Sequence, residues 1–149
     1  MNKFLDNLVF PSVDTYSKNT LDAPLRLVEV KASLELMQSG KAPGPDGFPS
    51  EFYQFSDQLT PLFLDMFNDS IERGTLPLSL TQASISLIPK KNKDLEDCSS
   101  WRPVSLLNSD IKLLAKTFAN RLDPCLLNII SKDQTGFIRG RQLKYTRSA

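Results

Sequence analysis

The stretch ASISLIPKKNKDLEDCSSWRPVSLLN, Ala83 to Asn108, decides how this chain is to be read. Ile85 and Leu87 stand at alternate positions and the run then meets Pro89, the pattern of a strand whose end is unpaired or at an edge. A charged segment follows, and WRPVSLLN then opens a second extended run in which Arg102, preceding a proline, is biased toward extended backbone. Two strands joined by a charged loop predict a hairpin. On both sides of it the apolar period is helical, so the expected fold is α+β: mostly helix, with one small antiparallel β-hairpin.

Upstream, LVEVKASLELMQS places Leu27, Val30, Leu34 and Met37 on one stripe and predicts a helix over Leu27–Ser39, stopped by Gly40. Ser50 starts a second helix. Thr60-Pro61 reads as cap and first-turn proline of a third, in which Leu62, Phe63, Met66, Phe67, Ser70 and Ile71 repeat up to Gly74. That aromatic stripe reads as core. Nearer the N-terminus, FLDNLVFP (Phe4–Pro11) predicts a short apolar helix and SVDTYSKNT (Ser12–Thr20) a polar connector. Downstream, Asn108-Ser109-Asp110 caps IKLLAKTFANRL, with Ile111, Leu114, Phe118 and Leu122 on one face, and Asp123-Pro124 caps a separate shorter helix, PCLLNII. The remainder, from Ser131, is basic, punctuated by glycine and irregular at first.

The length of 149 residues bounds one domain, or part of a larger one. Residues 1–82 carry six Lys/Arg against eleven Asp/Glu, whereas residues 83–149 carry twelve against six. That split predicts a basic surface built late in the chain and suited to a polyanion. The absence of histidine excludes Cys/His zinc sites, Ser-His-Asp and Cys-His triads, and imidazole general bases. Two isolated cysteines, Cys98 and Cys125, fit a reducing compartment rather than a disulfide scaffold. The apolar runs fall far short of a membrane span, so no membrane partner is expected.

Three segments carry chemistry. In GKAPGPDGFP, Gly40 to Pro49, prolines fix φ while glycines permit positive φ, so the loop has one stiff path. It is not a phosphate loop, because Lys41 precedes the glycines and a helix rather than a strand leads in. A single acid, Asp46, cannot hold calcium. Two readings stay open: a rigid interhelical corner, or a loop whose Gly44 and Gly47 amides approach a ligand. At the hairpin tip, Lys90, Lys91 and Lys93 face Arg102 on the return strand. Point-charge lysines opposite a forked arginine can grip a triphosphate, and the alternative is a solvated charge run. Trp101 beside them reads as packing. In DQTGFIRGR, arginines between glycines with one aromatic suit a nucleic-acid backbone, or form a flexible basic loop.

GKAPGPDGF, LIPKKNKD, WRPVSLLNSDIKLLAKTFANRL and DQTGFIRGR, in that order, resemble the N-terminal part of the reverse transcriptase domain of LINE-type, non-LTR retrotransposons, over about Phe4 to Arg141. The resemblance implies the fingers subdomain of a right-hand RNA-directed DNA polymerase, with pre-fingers helices over about 1–82 and the hairpin with its following helices over about 83–149. By likeness, Lys90, Lys91 and Arg102 hold the triphosphate of the incoming dNTP. Lys41, Gly44, Pro45, Asp46 and Gly47, together with Gln134, Gly136, Phe137, Arg139 and Arg141, lie along the RNA template. A primer strand is the further partner.

Polymerase chemistry also needs carboxylates that hold Mg²⁺. In this family they come from an F/Y-x-D segment and a later Y/F-A-D-D segment; Y/F-A-D-D does not occur here, and the F-x-D triplets of this chain (Phe4–Asp6, Phe55–Asp57, Phe63–Asp65 and Phe67–Asp69) all precede the hairpin. No catalytic or metal-binding residue is therefore assigned. The palm and thumb are expected to be absent, both ends to be cuts within the family domain, and the chain alone to be inactive. The alternative is a non-catalytic RNA- or nucleotide-binding module, or an unstable retroelement relic. The expected location is intracellular, nuclear or cytoplasmic.

Overall fold

The structure, a computed structural model, describes residues 11–55, 58–131, 133, 134, 136, 138, 140 and 141. Its elements in chain order are α1 (Thr15–Asp22), α2 (Leu27–Glu35), α3 (Ser50–Gln54), α4 (Leu59–Arg73), α5 (Leu78–Thr81), β1 (Ala83–Pro89), β2 (Trp101–Leu107) and α6 (Ser109–Ile129). The mixture of helix and a two-stranded antiparallel sheet is the expected one. Two compact units share the chain, one over 24–117 and the other formed by 1–23 with 118–149.

The core of the 24–117 unit is Leu25, Val30, Leu34, Tyr53, Phe67, Leu80, Leu113 and Leu114, with Met37, Phe63, Leu64, Met66 and Ile111 packed on it. Val30, Phe67 and Leu113 are fully enclosed. A chain of ring contacts runs inward from the surface: Phe48–Phe52 at 4.6 Å, Phe52–Tyr53 at 5.5 Å, Tyr53–Phe63 at 5.2 Å and Phe63–Phe67 at 6.1 Å. The aromatic stripe of α4 is core, as its period predicts, although Leu62 and Ile71 at its edges are exposed.

Several boundaries differ from the sequence expectation, each for a local reason. Helix α1 begins within the polar connector and runs past it to Asp22, because Asp14 caps it: Oδ1 accepts from the Ser17 amide at 2.9 Å and Oδ2 from the Ser17 hydroxyl at 2.7 Å. Helix α2 stops at Glu35 instead of Ser39, since Gln54 Nε2 donates to the Leu34 and Met37 carbonyls, both at 3.1 Å, and the Ser50 hydroxyl donates to that of Gln38 at 2.9 Å. Those side-chain donors replace the intrahelical partners that further turns would supply. Thr60 lies inside α4, not at its cap, while Gly74 ends that helix at φ +67° as expected.

Helix α6 absorbs the second predicted helix and runs through Pro124. A proline removes one ladder bond, but propagation restores one bond per residue beyond it. The α6 residues enclosed in the 24–117 unit are Ser109, Leu113, Leu114 and Thr117, whereas Phe118 and Leu122 of the predicted stripe are exposed. The helix expected over FLDNLVFP lies outside the described residues apart from Pro11. Cys98 is exposed and Cys125 buried, and both are free thiols. Among the described residues no helix is long and apolar enough to cross a membrane.

Candidate nucleic-acid interface

The Gly40–Phe48 loop is built onto the point where β2 hands over to α6. Gly40 adopts φ +71° and its amide donates to Glu51 Oε1. That bond holds the Glu51 carboxyl below its ordinary range. Gly47, at φ +77°, donates its amide to the Gly44 carbonyl at 3.1 Å, and Asp46 Oδ1 accepts from the Phe48 amide at 3.0 Å. Both bonds close the Pro45-Asp46-Gly47 turn predicted from its residues. Gly44 is a glycine for space: a β-carbon there would stand 2.2 Å from Asn108 Oδ1, 2.3 Å from the Asn108 nitrogen and 2.4 Å from the Leu107 carbonyl carbon.

Asn108 is the hub of this junction and is 3% exposed. Its Oδ1 accepts from the Asp46 amide at 3.2 Å, and its Nδ2 donates to the Ser79 carbonyl at 3.0 Å. The side chain expected to cap α6 therefore ties three segments together instead. Next along α6, the Ser109 hydroxyl donates to the Phe48 carbonyl at 3.0 Å and Lys112 Nζ to the Ala42 carbonyl at 3.3 Å. Sequence reading missed Asn108 in this role, because Asn-Ser-Asp before an apolar run spells a cap and nothing local reveals the partners.

Beneath the turn, the Tyr53 hydroxyl donates to Asp46 Oδ2 at 3.2 Å. Burial pushes the phenol far above its ordinary range, helped by the charges of Asp110 and Asp46, so Tyr53 remains a donor. Burial likewise raises the Asp110 carboxyl, with Asp46 adding to the effect. Lys41 stands exposed on the loop, as do Pro45 and Asp46.

At the hairpin, the register pairs Ile88 with Arg102 and Pro89 with Trp101, and Lys90 extends the ladder by donating its amide to the Ser100 carbonyl at 2.8 Å. Because side chains alternate, Lys90 and Arg102 fall on the same face as diagonal neighbours. Lys90 Nζ donates to the Ser99 carbonyl at 2.7 Å, Arg102 and Lys91 are exposed, and Asn92 makes the turn at φ +57°. Asp97, its carboxyl lowered by bonds from the Ser99 hydroxyl and amide, caps the short helical turn Cys98–Ser100. Trp101 is half-buried and outside the core cluster, and its Nε1 donates to the Leu95 carbonyl at 3.1 Å, so it braces the loop.

In the third segment, Gln134 Nε2 donates to the Gly136 carbonyl at 3.3 Å. The Arg141 guanidinium is committed within the chain: Nη2 donates to the carbonyls of Ile130 at 3.1 Å and Leu127 at 3.4 Å, and Nη1 to those of Ser131 and of Gln134 at 2.9 Å. It thereby satisfies carbonyls that the end of α6 leaves open. Phe137 and Arg139 lie outside the described residues.

Comparison with known proteins places these segments in a class. Residues 88–149 match the family described as reverse transcriptase (RNA-dependent DNA polymerase). The chain is 41% identical over 134 residues, 89% of its length, to the "Transposon TX1 uncharacterized 149 kDa protein" of Xenopus laevis, of which it covers 10%. It is 34% identical over 114 residues, 74% of its length, to the "RNA-directed DNA polymerase from mobile element jockey" of Drosophila melanogaster, covering 12% of that protein. It is 30% identical over 120 residues, 78% of its length, to the "Probable RNA-directed DNA polymerase from transposon BS" of the same species, covering 13%. The chain belongs to the reverse transcriptases of LINE-type, non-LTR retroelements, and spans a small part of the length of these relatives.

Proposed function

We propose that this chain supplies template and nucleotide binding within a retroelement RNA-directed DNA polymerase, as the fingers part of a right-hand fold. The observation that carries the reading is the hairpin register, which sets Lys90 and Arg102 on one face at the end of the ladder. A point-charge lysine and a forked arginine, with exposed Lys91 beside them, suit the triphosphate of an incoming dNTP. The template RNA runs along the Gly40–Phe48 loop, at Lys41, Gly44, Pro45, Asp46 and Gly47, and along the segment with Gln134, Gly136, Phe137, Arg139 and Arg141. In that segment Arg141 fastens the turn to α6, and Gly44 keeps the loop seated on Asn108.

The palm and thumb of such a domain, which would hold the primer strand, are the partners this reading requires. Support comes from the hairpin, where Ile85 is 68% and Leu87 61% exposed on one face, while Ile88 and Val104 are also open on the other. Strands this apolar are ordinarily covered.

The family implies a divalent metal for the intact domain, and the residues present do not fit one. Among the described residues no group of three or more His, Cys, Asp or Glu could hold an ion. Asp46, the acid nearest Asp110 by its electrostatic effect, already accepts from Phe48 and Tyr53. Catalysis is therefore assigned to none of these residues.

Binding of a fluorescently labelled dATP to the 149-residue chain tests the nucleotide site. Replacing Lys90, Lys91 and Arg102 together by Ala is expected to weaken it at least tenfold, and equal binding overturns the site. Primer extension on an RNA template with Mg²⁺ or Mn²⁺ is expected to give no product, and templated dNTP addition would overturn the assignment of catalysis elsewhere.

A further inference from the structure

A cavity of about 310 Å³ opens between the end of α2 and the first turns of α6. Its α6 wall carries Ser109, Lys112 and Lys116, its α2 side carries Leu36 and Met37, and Lys41 with Ala42 closes it from the Gly40–Phe48 loop. None of the lining residues is acidic. In a chain whose formal net charge is only +1, three lysines around one groove with no acidic residue in its lining are a local concentration of positive potential, although the Glu51 carboxylate lies behind Ser50 and Gly40. Nothing in the sequence joins them, since Lys41 lies some seventy positions before the other two.

We infer that Lys112 and Lys116, with Lys41, form a binding site for successive phosphates of a single-stranded RNA. Lys112 and Lys116 are one helical turn apart and so project side by side from α6. Lys112 spends one of its three donors on the Ala42 carbonyl, which fixes the ammonium at the groove and leaves two donors for a ligand. The side chains of Lys116 and Lys41 are exposed, and their ammonium groups have no ion-pair or hydrogen-bond partner among the described residues. The apolar side chains of Leu36 and Met37 opposite them favour a strand, which presents sugar and base edges beside its phosphates, over a free phosphate ion. The site deepens the template reading of the Gly40–Phe48 loop and rests on it: the loop acts by holding Lys112 and presenting Lys41, with Gly44 turned into the protein.

Phosphate contacts carry no base information and release counterions, which defines the experiment. Anisotropy of a labelled single-stranded RNA is followed against salt for the whole chain. Lys116→Gln, at an exposed position without partners, is expected to weaken binding about fivefold at 0.1 M salt and to lower the log–log salt slope by about 0.7, equally for oligo-U and oligo-A. Lys112→Gln/Lys116→Gln is expected to lower the slope by about 1.4, with Lys112→Arg/Lys116→Arg restoring it.

Unchanged affinity and slope in Lys116→Gln overturn the inference. If the Lys90, Lys91, Arg102 triple variant loses labelled dATP while still binding RNA through the α6 lysines, both readings stand. If Lys116→Gln binds RNA normally and the triple variant still loses dATP, the groove fails and the nucleotide site survives. Displacement of the RNA by inorganic phosphate well below the chloride concentration of equal ionic strength would assign the groove to a free anion and also overturn the inference.

Discussion

Gly44 meets Asn108 at a distance that no side chain could occupy, since a β-carbon on the glycine would fall 2.2 Å from the asparagine Oδ1 and 2.3 Å from its backbone nitrogen. The obstacle is largely backbone, which cannot swing aside. Gly44→Ala is expected to cost about 3 kcal/mol in urea unfolding, as over-packing against an unyielding neighbour does. Gly40→Ala meets open space and pays only for its positive φ, about 1–2 kcal/mol. Equal losses for the two would show that the Gly44 contact is relieved by loop movement.

Asn108 presents one acceptor and one donor to buried partners, so its replacements should separate by chemistry. Asn108→Ala orphans the Asp46 amide and the Ser79 carbonyl and is expected to cost about 2–4 kcal/mol. Asn108→Asp at neutral pH keeps the acceptor, loses the donor and buries a charge, so it should be at least as damaging. Protonation returns the donor, and the deficit of the aspartate variant is expected to shrink as pH falls. A pH-independent deficit would contradict the assigned bonding.

The carboxyl of Asp110 is raised by burial first and by Asp46 second. A carboxyl with a raised folded value binds its proton more tightly folded than unfolded, so its contribution to stability declines as pH rises from the ordinary value of 3.8 through the raised one. Asp110→Asn keeps an oxygen for the Ile111 amide and removes the charge. It is expected to raise Tm by a few degrees at pH 7, the gain disappearing below about pH 4. A lower Tm at pH 7 would show that the charge is favourable where it stands.

Arg141 reaches four carbonyls with a planar fork that lysine cannot reproduce. Arg141→Lys is expected to speed hydrogen exchange at the amides of the last turn of α6, around Leu127 to Ile130, while amides around Leu113 remain protected. Unchanged exchange in that turn would show the fork to be dispensable.

Patterns with a period are what the sequence conveys best. The alternation at Ile85 and Leu87, the pre-proline Arg102 and the helical stripe of α4 led to the hairpin and the core aromatics at their observed places. The turn at Pro45-Asp46-Gly47 was legible from residue types alone. By contrast, α1 was hidden because its residues are polar and none is buried, so only the Asp14 cap marks it. The run of α6 through Pro124 contradicts a local signal that is ordinarily sound.

The functional segments divide the same way. Residue order by itself determined the family, the hairpin that carries Lys90 on one arm and Arg102 on the other, and the stiffness of the Gly40–Phe48 loop, because each depends on neighbours within a few positions or on a pattern of period two. Only the tertiary structure decided what that stiffness serves. Gly44 is pressed onto Asn108, Arg141 is spent on the end of α6, and Lys41 meets Lys112 and Lys116 around one groove. Those relations join residues tens of positions apart through packing and hydrogen bonds between separate elements, and no local spacing encodes them.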